Sequence, residues 1–183
     1  LEDRVQRQKD LNETTLRLYQ TQLNPHFLYN TLDTIKWSAK IHQIPEIAVL
    51  AENLAVILRK SISSKPFIQL REELDTIESY IKIQKIRFAG RFLYETEVPD
   101  MLEDCVIPKM ILQPLVENAI IHGVENIEQG IVVLDVQKVK DRVRICVSDN
   151  GVGMEQSKID EILGEDEELI MEAQDSIGLR NVN

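Results

Sequence analysis

Three short stretches of this chain place side chains where they can do chemistry. In QLNPHFLYNTL, His26 directly follows Pro25. A neutral imidazole nitrogen is a competent nucleophile near neutral pH, since its unperturbed pKa is roughly 6.5; the plainer reading is an ordinary surface or core histidine of a helix. In LVENAIIHG, Asn118 and His122 stand at positions i and i+4 and share a helix face, with Glu117 about a hundred degrees round it. An amide oxygen there can complete the shell of a hydrated Mg2+, and the histidine can donate to a phosphate. Polar residues at this spacing also make ordinary solvated faces. In DNGVGM, Asp149 can accept from an exocyclic amine while Gly151 and Gly153 let the backbone come close to a ligand; a tight turn is the alternative. Neither GxxxxGK[ST] nor GxGxxG occurs in the chain. His42, near the end of a helical pattern, reads as an ordinary histidine.

The elements that must hold these residues follow from hydrophobic periodicity. From Leu11 the pattern repeats every seven residues, with Leu11, Leu18, Pro25, Leu32 and Ala39 in one row and Thr14, Thr21, Leu28 and Ile35 in the other. Such a stripe suits a bundle seam, and Pro25 inside it predicts a kink. The pattern stops near His42 to Pro45, restarts through Ile47, Leu50, Leu54 and Ile57, and fades between Ser61 and Pro66. A helical hairpin this small cannot cover its own apolar stripe, so dimerisation into a four-helix bundle is expected. Beyond Pro66 the spacing predicts a helix over 69–88, a strand from Phe92 to Val98, a helix from about Pro108 to a stop at Gly123, and two strands, IVVLDVQKV and RVRICVSD, turning at Lys140-Asp141. That order implies an α+β fold, a hairpin domain over 1–66 followed by an α/β sandwich over 67–183.

Composition narrows the partners. Lys+Arg 21 against Asp+Glu 31 gives a net charge of −10, with 43% hydrophobic and 28% charged residues, which is globular. Residues 154–175 hold nine acids and one base, hence −8 of that charge. The remainder is nearly neutral, so no basic surface exists for nucleic acid. Cys105 and Cys146 suit a reduced compartment as small buried apolar residues, too few for a zinc site. No apolar run is long enough for a membrane span, and LEDRVQRQKD is unlike a signal peptide.

Taken in order, PHFLYNTL, IQKIRF, LQPLVENAIIHG, DNGVGM and IGLRNVN resemble the sensor histidine kinases of the LytS/YesM type, from about residue 21 to the end of the chain. The resemblance implies a bacterial two-component transmitter: a homodimeric phosphotransfer hairpin followed by a Bergerat-type (GHKL) ATP-binding domain, C-terminally incomplete at Asn183. It implies ATP and Mg2+ as cofactors, a response-regulator aspartate as the acceptor, and a cytoplasmic position below a membrane-bound sensor upstream. His26 matches the phosphoacceptor, Asn118 the Mg2+-ligating asparagine and Asp149 the reader of the adenine amino group. Gly151, Gly153 and Gly178 match the glycines bordering the ATP lid, which becomes the acidic segment 154–175. Leu179 and Arg180 match the start of the helix behind the phosphates, and His122 joins the nucleotide-binding set.

Two positions depart from the wider kinase pattern. The place after His26, often an acid that serves as base, is Phe27, which LytS/YesM-type kinases share; Glu117 is then a candidate base or helper of the metal's water shell. Ser176 stands where a glycine is usual. The competing reading is a non-catalytic dimeric signalling module with a degenerate ATP site. A third, an ATP-hydrolysing clamp, is disfavoured because the position one turn before Asn118, commonly glutamate in such ATPases, is Pro114.

Overall fold

The computed structural model describes residues 25–63, 65–125 and 127–155. The described residues fall into two compact units, one holding the helical hairpin with 78–86, the other holding 66–77 and everything from Arg87 onward. The division thus runs inside one helix.

In the first unit, α1 (Pro25–Ile41) and α2 (Pro45–Ile62) form the expected antiparallel hairpin. The turn between them is fixed by backbone hydrogen bonding. The Ile44 N–H donates to Ala39 O (2.9 Å) and the Gln43 N–H to Lys40 O (3.2 Å), the paired bonds of a Schellman motif, with Gln43 at φ 57° in the left-handed position. Pro45 then starts α2 where its missing N–H costs nothing. Ala39, Ala48 and Ala51 are buried, while the stripe residues Ile35, Ile47 and Leu54 are exposed, so small residues carry the contact and part of the apolar stripe stays uncovered; Trp37 and Ile41, also exposed, lie on the opposite side of α1. The kink expected at Pro25 concerns residues before it, outside those described.

The second unit begins with a two-stranded antiparallel sheet that periodicity did not reveal: β1 (Phe67–Gln69) pairs with β3 (Val106–Pro108). Three-residue strands are too short to print an alternation. Pro108 therefore lies in a strand rather than at a helix start. Helix α3 (Leu70–Arg87) leaves β1 directly, its first amides donating to Cys105 O (2.8 Å) and Glu103 O (3.0 Å). Helix α4 (Leu112–Asn118) starts four residues later than expected and runs on through Gly123 as a wider π-helical turn, Ala119–Val124.

A mixed sheet of order β2-β4-β5 completes the unit, with β2 (Phe92–Glu97) parallel to β4 (Gly130–Val139), and β4 antiparallel to β5 (Arg142–Asp149). The expected hairpin is present, with Lys140 taking the left-handed turn position at φ 55°. Along β4, Val132, Leu134 and Val136 are fully buried, in strict alternation with less buried neighbours. They share the core with Leu112, Val116, Ile120 and Val124 of α4 and its π-helical turn. Cys105 and Cys146 are free thiols, half-buried rather than buried, because one lies in a loop and the other on the sheet's outer strand.

Glu73 is buried on α3, at 2% exposure. Its Oε1 accepts the Leu112 N–H at 2.7 Å and its Oε2 the Met110 N–H at 3.1 Å. A carboxylate is tolerated inside a protein only when so bonded, and here it meets the amides and positive dipole end where α4 begins. Met110 itself is held at φ 63°. In Glu73→Gln the side-chain NH2 would face one of these N–H donors, so the urea midpoint should fall by the equivalent of about 1–3 kcal/mol. An unchanged midpoint would show that the carboxylate does not anchor α4.

Candidate functional site

The structure gathers part of the candidate set at one end of the mixed sheet. Asp149 closes β5, and its Oδ1 accepts the Gly151 N–H at 2.8 Å. The backbone of the π-helical turn comes up against it. A Cβ on Gly123 would lie 2.6 Å from Asp149 Oδ1, and one on Gly151 would lie 2.3 Å from Gly123 O and 2.5 Å from Asp149 Oδ1. No side chain fits at either glycine without displacing the carboxylate or the backbone. Gly123, expected as a helix stop, is therefore required for close approach instead.

Asn150 locks this arrangement. Its Oδ1 accepts the Ile131 N–H (2.7 Å), its Nδ2 donates to Gln129 O (3.0 Å), and its own N–H donates to Ile131 O (3.2 Å). The end of β5 is so tied to the start of β4, and Asp149 cannot drift. Gly153, by contrast, sits at φ 70° with open space about it, which is the conformational freedom expected of it.

Asn118 and His122 are both exposed, Glu117 is half-buried, and all three fall on the short helix and π-helical turn that lead into Gly123. Such widened turns often occur at functional sites. No group of three or more His, Cys, Asp or Glu able to hold a metal exists among the described residues. A magnesium here would rest on the Asn118 oxygen together with phosphate oxygens and water, the way this ion is commonly held. The donors fit that role. Asp149 likewise fits an amine, since its Oδ2 remains an acceptor beside the bonded Oδ1.

On the first unit, His26 is exposed on α1, as is Phe27 beside it. Asn30 Nδ2 lies 3.2 Å from His26 Nδ1. His42 Nδ1–H donates to Ser38 O at 2.8 Å, the bland role expected of it. Gly178, Leu179, Arg180, Ser176 and nearly all of the acidic segment lie outside the described residues.

Sequence reasoning overlooked Glu73 and Asn150. Glu73 had a signal, an acid within the apolar stripe Leu70, Leu74, Ile77 and Ile81 of α3. Asn150 had none, because its partners Gln129 and Ile131 are distant in the chain.

Residues 14–92 match the family described as histidine kinase, and residues 104–183 that of histidine kinase-, DNA gyrase B- and HSP90-like ATPases. The sensor histidine kinase YesM of Bacillus subtilis is 40% identical over 85% of this chain and 27% of its own length. The sensor protein LytS of Oceanobacillus iheyensis is 35% identical over 85% of the chain, again 27% of its own length. The chain thus spans about a quarter of these relatives. A solved histidine kinase domain from Erythrobacter litoralis is similar over 72% of the chain and 75% of its own length, at 17% identity and a TM-score of 0.43. Among the described residues no helix is long and apolar enough to cross a membrane.

The two glycines differ in a measurable way. Gly123→Ala should cost about 1–3 kcal/mol through overpacking and speed hydrogen exchange at the Gly151 amide by pushing Asp149 away. Gly153→Ala should cost about 1–2 kcal/mol from its left-handed backbone alone and leave that amide protected. Equal exchange at Gly151 in both variants would contradict the close-approach account.

Proposed function

Since the chain belongs to the sensor histidine kinases of the LytS/YesM type, we propose that it is the transmitter part of such a kinase, which phosphorylates His26 from ATP and passes the phosphoryl group to a response-regulator aspartate. One observation carries this reading: the exposed His26 falls in the stretch matched to the histidine kinase family, while Asn118 and Asp149 fall in the stretch matched to the ATPases. His26, Asn118 and Asp149 are all present in the sequence, which gives no support to the non-catalytic alternative.

Asp149 binds the adenine amino group, held by the Gly151 amide and by the lack of a Cβ on Gly123. Asn118 and His122 would face the phosphates, and Asn118 is the residue that would hold Mg2+, which would supply charge neutralisation. Gly151 and Gly153 lead into the lid, with Gly178 and Leu179 at its far border. The imidazole of His26 attacks the γ-phosphorus through an unprotonated nitrogen, a bond from nitrogen to phosphorus forms, the bond from phosphorus to the bridging oxygen breaks, and ADP leaves. The proton on the other ring nitrogen stays there during attack. Phosphoryl transfer through a loose transition state asks little of a base, in keeping with an exposed Phe27 beside the nucleophile. Glu117 would help to order the water shell of a bound Mg2+.

The partly uncovered stripe on the hairpin supports a homodimer, with Ile35, Ile47 and Leu54 each 41% exposed. The part represented here lies on the cytoplasmic side, with membrane segments upstream. Light scattering should give a dimer at micromolar concentration, and a monomer would contradict the bundle.

With γ-labelled ATP and the full-length protein, label should be acid-labile and alkali-stable. His26→Gln should abolish it with ATP binding unchanged, while Asn118→Asp or Asp149→Ala should abolish binding and label together. Label persisting on histidine in His26→Gln would remove His26 as the acceptor.

A further inference from the structure

Asn150 and Gly151 form the one Asn-Gly pair in the chain. Such a pair is especially prone to deamidation, because a following residue without a side chain lets its backbone nitrogen reach the asparagine Cγ and close a succinimide ring. In this fold neither residue is free to be another. Asn150 ties β5 to β4, its Oδ1 accepting the Ile131 N–H (2.7 Å) and its Nδ2 donating to Gln129 O (3.0 Å). Gly151 lies so close to the π-helical turn that a Cβ on it would be 2.3 Å from Gly123 O. Asn150 is also exposed, so water reaches it and burial gives it no protection. What opposes the reaction is hydrogen bonding. Ring closure requires the Gly151 nitrogen, stripped of its proton, to approach Asn150 Cγ. That N–H instead donates to Asp149 Oδ1 at 2.8 Å, and a carboxylate facing it disfavours the amide anion. Both polar atoms of the Asn150 side chain are engaged, and its own N–H donates to Ile131 O (3.2 Å), so side chain and backbone are anchored to β4 together.

We propose that Asn150 is a deamidation site that the fold holds shut: it reacts only while the end of β5 is detached from β4, and its conversion then prevents the original tie from re-forming. The chemistry needs water alone. The Gly151 nitrogen bonds to Asn150 Cγ, the bond from Cγ to Nδ2 breaks, and Nδ2 leaves as ammonia with the proton that Gly151 gave up. Water then opens the ring. Cleavage between Cγ and nitrogen gives aspartate, and cleavage at the original peptide bond gives isoaspartate, whose main chain runs through an additional methylene. Aspartate sets an oxygen where Nδ2 met the Gln129 carbonyl, so a donor is replaced by a second acceptor. Isoaspartate lengthens the chain where Gly151 must meet Gly123. Either product loosens the support of Asp149. Strand ends open locally without global unfolding, and that opening is the only route to the reactive geometry. The inference stands apart from the phosphotransfer reading and does not depend on it.

The test incubates the full-length protein at mildly alkaline pH, folded or unfolded in urea, with peptide mass spectrometry reading the exchange of NH2 for OH at Asn150 and isoaspartate methyltransferase labelling reading the second product. Folded protein should react at Asn150 at least about tenfold more slowly than unfolded protein. This comparison needs no variant. Asp149→Ala, which removes the acceptor of the Gly151 N–H, and Gly123→Ala, which pushes that acceptor away, should each raise the folded rate about three- to tenfold, the worth of one hydrogen bond to a charged group. Circular dichroism checks that both remain folded. Asn150→Asp, the product made directly, should speed hydrogen exchange at the Gly151 amide about tenfold. Equal rates in folded and unfolded protein would overturn the proposal. So would a folded rate unchanged in both variants, which would place the protection elsewhere than in the Asp149 contact, or unchanged Gly151 exchange in Asn150→Asp, which would show that the product keeps the tie.

Discussion

The second unit turns on a buried carboxylate. Glu73 accepts from the amides of Met110 and Leu112, and so fixes where α4 begins. Everything downstream is counted from that point: Asn118 ends the helix, His122 lies in the π-helical turn, and Gly123 reaches the sheet within it. Met110 pays for the register with a left-handed backbone at φ 63°, which the Glu73 contact offsets. The acid comes from α3 and the amides from a loop far along the chain. The contact therefore belongs to tertiary structure, and it joins the two-stranded sheet region to the helix that carries the candidate site.

The second constraint is steric. Helix end and strand end meet at Gly123 and Gly151 with Asp149 between them, at distances that leave no room for a methyl group. Gly130 repeats the device at the start of β4, where a Cβ would lie 2.5 Å from Val124 Cβ. Gly123 and Gly151 thus let backbone, rather than side chains, close around Asp149, while Gly130 makes room for the core side chains of Val124 and Phe92. Asn150 adds the polar half of the arrangement by fastening β5 to β4 at the same level. The carboxylate is held by covalent neighbours and by an amide, so its orientation costs no further ordering when a ligand arrives.

Long, periodic elements were legible from sequence because burial on one face imprints itself on residue order. Both hairpin helices, α3 and the β4–β5 pair show this, and Val132, Leu134 and Val136 are buried as their alternation demands. The strands β1 and β3 were not, since three residues cannot display a period and their partners are 39 positions apart, as Ile68 and Ile107 illustrate. The misplaced start of α4 has the same origin: proline is favoured in the first turn of a helix, but Pro108 is equally suited to a short edge strand. At the site, residue types gave Asp149, Asn118 and Gly151, whereas the reason for Gly123 appears only when Asp149 is beside it. Gly178 and Leu179 lie beyond the described residues, so the lid's far border rests on the resemblance alone.

The residue after His26 bears on how the nucleophile works. An acid there would stabilise a protonated ring as readily as it removed a proton, since a nearby negative charge favours the cationic imidazole. Exposed Phe27 brings no charge of its own to that position. Under the proposed function, attack would come from a ring nitrogen that carries no proton. That relocates the catalytic demand: with little deprotonation to perform, the rate depends on holding the imidazole and the γ-phosphorus in line. The task would then fall to geometry more than to a base, and on the nucleotide side the fixed group is Asp149, whose carboxylate is held by the Gly151 amide before any ligand arrives.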